Sequence, residues 1–234
     1  MPFLSRALTR KKYPARCHSS YVHGVSYVFF RVRQQLETMW GLPPFEQQLL
    51  KRIVKESLAM TQNCLNAWKG RPAFSVLNAS LYCIFLQFMR QMLPHGSLSD
   101  KLYLLCRMLH SVDLYSAILP PHIYFEHPVG TVMGRSPSQL GDYLTILQGV
   151  TLGGSRKKDG TLAYPVVGSH VIFYSHSTLV GDSSVGDYSV LSTGCCVIND
   201  SIPAHSLVFG TSPNLVVKTL DEERYWQFSP FAKN

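Results

Sequence analysis

An aliphatic or aromatic residue recurs at every sixth position in the second half of the chain, and this spacing constrains the fold more than any other feature. The unbroken series is Val167, Phe173, Leu179, Val185, Leu191 and Val197. The residues four positions further on are nearly all small: Val171, Ser177, Ser183, Ser189, Cys195 and Ser201. Such a six-residue repeat is typical of a left-handed parallel β-helix, in which three hexads make one triangular coil, large residues fill the interior and small ones fit the corners. Two ordinary β-sheets with this spacing by chance are the alternative.

Earlier hexads can be set at Ile123 and Val129, and then at Leu140, Ile146 and Leu152. Two insertions interrupt the repeat, around 135–139 and 155–165. In a solenoid, insertions become loops that project from one face, and such loops commonly build the functional site.

The first half of the chain has helical periodicity instead. Apolar residues at i, i+4 spacing follow Pro43-Pro44, and a second helix is expected from about Ser75 to Leu93. Ser99 is the expected N-cap of a third helix over 100–110, and 21–40 is also expected to be helical. The predicted class is α+β: a basic arm at 1–20, an α-helical domain at 21–112, a left-handed parallel β-helix at 113–218 and a C-terminal tail at 219–234.

The net charge of +8 is concentrated near the N-terminus. Seven basic residues precede the first acidic one, Glu37, and the remaining 15 basic residues nearly balance the 14 acidic ones. A basic arm of this kind is typically solvated, with attachment to a membrane surface or nucleic acid as the alternative. We therefore expect no nucleic-acid partner and no membrane span. The six cysteines show no CxxC pair, which favours a reducing, cytoplasmic location.

Three motifs carry a family resemblance. They are Glu126-His127-Pro128-Val129-Gly130, the run from Ile146 to Gly154 (ILQGVTLGG), and the closing run from Ile202-Pro203 to Gly210-Thr211-Ser212-Pro213. Through them, residues 99–218 resemble the serine O-acetyltransferases and their close relatives among the hexapeptide-repeat acyltransferases. The resemblance implies an acyl transfer from acetyl-CoA to a hydroxyl group.

The same resemblance implies a role for each residue near His127. His127 would be the general base, because a neutral imidazole can accept the proton of a hydroxyl that attacks a thioester. Asp113 would orient His127, although it lies one residue closer in sequence than the family spacing. Glu126 would contact the amino group of the acceptor.

For CoA, the resemblance implies contacts at Gly154, Ser155, Ser175, Thr193 and Gly194. Lys157, Lys158 and Lys218 are candidates for the nucleotide phosphates. The family binds the pantetheine arm between adjacent subunits, which implies a homotrimer or a dimer of trimers. No metal is expected.

Two departures from the family pattern concern the acceptor and a partner protein. Serine-specific members carry an Arg-His pair where this chain has Ala163-Tyr164, so Arg135 or Arg156 would have to hold a carboxylate, or the acceptor has none there. Tyr164 would then line the acceptor site, for a modified amino acid, a natural-product intermediate or a sugar. The chain also lacks the terminal isoleucine with which many members bind the sulfhydrylase of cysteine synthesis. That complex is therefore not supported, and the aromatic tail is expected to pack on a neighbouring subunit.

Two other functions remain open. A β-helix can carry a zinc carbonic anhydrase, and the pairs His122 with His127 and His170 with His176 have suggestive spacing. An inactive scaffold is the other alternative, supported by the missing Arg-His pair.

Overall fold

The computed structural model describes residues 24–115, 118–134 and 140–233. The predicted basic arm at 1–20 and Arg135 lie outside these residues. In the described part, four helices precede the strands and a fifth follows them: α1 (Val25–Trp40), α2 (Pro44–Asn66), α3 (Ala79–Gln91), α4 (Ser97–His110) and α5 (Glu222–Phe228). No helix in this part is long and apolar enough to span a bilayer.

Fifteen strands follow α4 within the described residues. They are β1 (Ile123–Glu126), β2 (Val132–Met133), β3 (Leu144–Leu147), β4 (Thr151–Gly153), β5 (Ser155–Arg156), β6 (Leu162–Ala163), β7 (Val166–Val167), β8 (Ile172–Phe173), β9 (Thr178–Val180), β10 (Ser184–Val185), β11 (Val190–Leu191), β12 (Cys196–Ile198), β13 (Ser201–Ile202), β14 (Ser206–Thr211) and β15 (Asn214–Thr219).

The strands stack in parallel on three faces, as a β-helix requires. The first face is β1-β3-β8-β11-β14, the second is β2-β4-β9-β12, and the third is β7-β10-β13. β14 also pairs with β12 and forms an antiparallel hairpin with β15 that ends the coil. The insertion at 155–165 contains a second hairpin, β5 with β6. The predicted order, a helical domain followed by a parallel β-helix, is confirmed.

All six residues of the predicted hexad series are buried, with at most 2% of the surface exposed. Five of the six small residues are also buried, the exception being Ser201. The cause is the one expected, since the large residues stack along the interior of the prism.

The hexad phase assigned to Ile123 and Val129 was wrong. Val129 is 59% exposed, and Phe125 faces the interior, where it pairs in register with Ile146. Ile123 is also buried, and its carbonyl accepts hydrogen bonds from the helical domain, including one from the Trp68 indole at 3.1 Å.

The helical domain is built around α3, whose residues Leu81 to Arg90 are all buried. Helix α3 packs against α2, α4 and β1. α3 begins later than predicted because the side chain of Asn78 accepts a hydrogen bond from the Leu81 N–H and caps the helix there. Ser99 is not an N-cap, since α4 begins at Ser97 and Ser99 lies buried inside its first turn.

The C-terminal tail folds back onto its own chain. α5 packs against the β-helix, and Phe231 forms an antiparallel β-bridge with Trp68 of the helical domain. The expectation that the aromatic tail packs on a neighbouring subunit is therefore wrong for Phe231, which is fully buried within one chain.

Candidate functional site

The turn that carries His127 is longer than the same turn in the coils above it. From Phe125 to Met133 the chain takes eight residues, whereas their partners in the next coil, Ile146 and Leu152, are six apart. Glu126 still pairs in register with Leu147, so the two additional residues come after it, and both Glu126 and His127 are exposed. His127 has a left-handed backbone, with φ of 51°. An imidazole on such a projecting turn is accessible to a substrate.

Glu126 and His127 line an open cleft with a volume of about 480 Å³ between the β-helix and the helical domain. On the opposite side lie Asn78, Ala79 and Ser80 at the start of α3. Among the described residues, no side chain is hydrogen-bonded to the His127 imidazole. The ring is thus available to accept a proton from a molecule in the cleft.

One wall of the cleft is aromatic. The rings of Trp68 and Tyr124 lie 4.4 Å apart at an angle of 60°. Burial, and secondarily the negative charge of Glu126, raise the pKa of Tyr124, and the same two causes raise the pKa of Tyr174. The electrostatic effect of Glu126 therefore reaches tyrosines on two coils, and the cleft combines a carboxylate with aromatic surface.

The corner that begins at His127 continues up the β-helix, and we call it the open corner. Its successive levels are joined by backbone hydrogen bonds of 2.9 to 3.0 Å. The levels are His127–Gly130, Gln148–Gly149, Ser175–His176 and Thr193–Gly194. Three of the predicted CoA residues, Ser175, Thr193 and Gly194, thus share a corner with His127. A Cβ at Gly194 would meet nothing within 4 Å, so this end of the corner is sterically open.

The other two predicted CoA residues lie at the next corner. Gly154 and Ser155 follow β4, across the face formed by β4, β9 and β12. Gly154 is closely covered, since a Cβ there would come within 2.7 Å of the Tyr164 ring. The CoA candidates therefore border both edges of one face, and Tyr164 packs on Gly154 beside that face.

Among the residues that the structure describes, the predicted basic side chains are not brought to the cleft. The guanidinium of Arg156 donates to the Gly160 carbonyl at 2.8 Å, within its own hairpin. Lys157 pairs with Asp182 at 2.7 Å, which raises the pKa of the lysine. Lys218 lies on β15 opposite Leu207 and over the Phe209 ring. Of the two candidate arginines, Arg156 is thus occupied locally and Arg135 is outside the described residues.

Asp113 stands in the first rung, where it bridges Val132. Its carboxylate accepts a hydrogen bond from the Tyr103 hydroxyl at 3.0 Å and lies 3.7 Å from Arg107. No hydrogen bond joins Asp113 to His127 in the described residues. The orienting role of Asp113 stays a prediction.

A second corner of the β-helix, which we call the ladder corner, was missed in the sequence. Five rings stack along it with centroids 4.5 to 5.2 Å apart and planes within 10°. They are His122, Tyr143, His170, Tyr188 and His205. Each ring stands three residues before an interior residue of the first face, a spacing visible in the sequence.

The two histidine pairs considered for zinc are split between these corners. His122 and His170 are in the ladder corner, whereas His127 and His176 are in the open corner. Within the described residues, no three His, Cys, Asp or Glu side chains are grouped so that they could hold a metal ion.

No protein-family model matches the chain. Individual relatives do match. A serine acetyltransferase of Bacillus pumilus is 28% identical over 134 residues, which covers 54% of this chain and 60% of that relative. One from Synechococcus elongatus is 28% identical over 169 residues, covering 72% of this chain and 66% of that relative.

Solved structures agree on the fold. The serine acetyltransferase of Brucella abortus superposes with a TM-score of 0.61 at 18% identity, covering 84% of each chain. A serine acetyltransferase in complex with CoA superposes with a TM-score of 0.60 at 20% identity, covering 83% of this chain and 84% of that one. In sequence and in fold, the chain is similar to serine acetyltransferases.

The fold of the chain is thus the predicted left-handed β-helix behind a helical domain. The matched region spans about 60% of the length of the Bacillus relatives.

Proposed function

We propose that the serine acetyltransferase-like protein is an acetyl-CoA-dependent O-acetyltransferase. The observation that carries the proposal is the projecting turn that exposes His127, beside Glu126, in a cleft of substrate size. The relatives support it, since they are named serine acetyltransferases and one solved relative is a complex with CoA.

In the proposed mechanism, His127 removes the proton from the acceptor hydroxyl as its oxygen attacks the thioester carbonyl. A C–O bond forms, the C–S bond of the tetrahedral intermediate breaks, and the imidazolium returns its proton to the CoA thiolate. A positioned general base of this kind contributes about 10²- to 10⁴-fold to the rate. No covalent enzyme intermediate is required, because a thioester is already activated for direct attack.

The acetyl-CoA is proposed to lie along the face formed by β4, β9 and β12, between the open corner and Gly154. Main-chain groups near Ser155, Ser175, Thr193 and Gly194 would bind its pantetheine arm. Exposed apolar residues on the outside of this face, Val132 at 39% and Ile198 at 42%, favour a neighbouring subunit there. The proposed assembly is a homotrimer or a dimer of trimers, which sedimentation measurements can test.

Serine or a serine-like compound is the first candidate acceptor. Glu126 would bind its ammonium group through a charge-assisted hydrogen bond. A different acceptor without a carboxylate is the second candidate, favoured by the occupation of Arg156 within its own hairpin and by Tyr164 beside Gly154.

The test is thiol release from acetyl-CoA by purified protein with a panel of acceptors: L-serine, L-homoserine, ethanolamine and an amino sugar. Thiol release that requires both the protein and one particular acceptor would support the proposal and identify that acceptor as the substrate. Absence of release with every acceptor would favour the inactive scaffold. A stoichiometric zinc ion in the purified protein would favour the carbonic anhydrase alternative.

A further inference from the structure

The last described residues form a short β-pairing with the end of α2. The Lys69 N–H donates to the Pro230 carbonyl at 2.8 Å, and the Ala232 N–H donates to the Ala67 carbonyl at 3.1 Å. The Lys69 ammonium group also donates to the Ser229 carbonyl. Two antiparallel backbone bonds on either side of Trp68 and Phe231 fix the position of the Trp68 backbone.

Phe231 connects this pairing to the β-helix. Its side chain is fully buried in the core cluster that also contains Trp68. Its ring meets the edge of Tyr143 in the ladder corner, with centroids 5.3 Å apart. A displacement of Phe231 would therefore loosen the contact between the tail, the ladder corner and the Trp68 segment.

Trp68 in turn forms part of the cleft that contains His127. It is 5% exposed, its indole N–H donates to the Ile123 carbonyl, and its ring contacts Tyr124. Trp68 thus connects the tail to the cleft.

We infer that the C-terminal tail determines acceptor binding, with Phe231 as a positioning residue and Trp68 as an acceptor-contacting wall. This inference rests on the proposed function. The chemistry of the wall suits an acceptor that places an ammonium group beside Glu126 and apolar carbon or cationic surface against Trp68 and Tyr124. The predicted CoA residues are not in the tail pairing, so the tail is expected to affect the acceptor and not acetyl-CoA.

The first experiment observes Trp68 directly and needs no activity. Protein labelled with 5-fluorotryptophan gives fluorine NMR signals, and Trp68→Phe assigns the signal of interest among three tryptophans. Phe231→Leu, which keeps an apolar side chain, is expected to shift or broaden the Trp68 signal. Val185→Ala, a core substitution on the third face away from the tail, is the matched control and should leave the signal in place.

The second experiment measures thiol release with L-serine as the acceptor probe. Phe231→Leu is expected to raise the KM for L-serine about five- to tenfold while kcat and the KM for acetyl-CoA stay within about twofold. A substitution that only destabilises the fold would lower the active fraction, and with it the apparent kcat, without a selective rise in the KM for L-serine. Val185→Ala should show this second pattern.

An unchanged Trp68 signal in Phe231→Leu would overturn the inference whatever the activity. A changed signal with an unchanged KM for L-serine would overturn it too. Failure of the wild-type protein to release thiol with any acceptor would instead count against the proposed function, and the NMR result would still decide whether the tail positions Trp68.

Discussion

The open corner and the ladder corner are two turns of one β-helix with opposite surroundings. Both use residues with left-handed backbones, such as His127 and His176 in the first and His170 and Tyr188 in the second. In the ladder corner the rings stack on one another and meet Tyr225 and Trp226 of the tail. In the open corner His127 faces a cleft. The same left-handed backbone therefore places rings in a packed stack where the tail covers the corner, and presents the His127 imidazole to the cleft where the corner is uncovered.

The largest expected effect is at His127. His127→Asn is expected to lower thiol release about 10²- to 10⁴-fold, because the general base is lost. Asparagine is chosen because it tolerates the left-handed backbone better than most residues. Thermal unfolding should be nearly unchanged, since His127 is exposed. His205→Asn, at a similar φ of 56° in the ladder corner, is the control and should retain activity.

The ladder corner should show the reverse pattern. Tyr188 stacks between His170 and His205 and is met by two tail aromatics, so Tyr188→Ala is expected to cost about 1–3 kcal/mol of unfolding free energy. Chemical denaturation measures this loss, and kcat of the folded protein should stay unchanged. A Tyr188→Ala protein with wild-type stability would show that the stacked rings contribute nothing to the fold.

A smaller effect is expected at Glu126, within the open corner. Glu126→Gln keeps the size of the side chain and removes its charge, so the KM for an amine-bearing acceptor should rise about tenfold. The KM for acetyl-CoA should stay constant, and Glu223→Gln on exposed α5 serves as the charge control. An equal change in both KM values would argue against contact between Glu126 and the acceptor.

The smallest effect is a pH dependence of stability from the ladder corner. Burial lowers the pKa of His170 below its ordinary value of 6.5, opposed by the nearby Asp142 and Asp187. The unfolded chain then binds more protons than the folded one just below pH 6.5, so the unfolding free energy should fall as the pH falls through that range. His170→Phe keeps a stacked ring and should reduce this slope. Part of the slope should persist through His110, whose pKa burial also lowers.

The six-residue periodicity was sufficient to predict the β-helix, because the position of each buried residue follows from its own hexad. Phe173 and Leu191 were therefore placed correctly. The same reasoning failed at Val129, because it assumes a constant number of residues per turn and the His127 turn has two more. It also could not find the contact of Phe231 with Trp68, since pairing across more than 160 residues has no periodic signal.

The functional site was likewise predictable only in part from the sequence. The motif around His127 predicted a general base, and the structure shows that this histidine is exposed. The position of the Asp113 carboxylate depends instead on Tyr103 and Arg107, which approach from a helix. A motif specifies neighbours along the chain, but side-chain partners from another element require the three-dimensional packing.

The most direct test of the central claim is chemical rescue of the missing base. His127→Gly removes the imidazole, suits a left-handed backbone and leaves space beside Glu126. We predict that thiol release falls to near background and that added imidazole restores it in proportion to the neutral imidazole concentration. Wild-type thiol release by His127→Gly without imidazole would contradict a general-base role for His127.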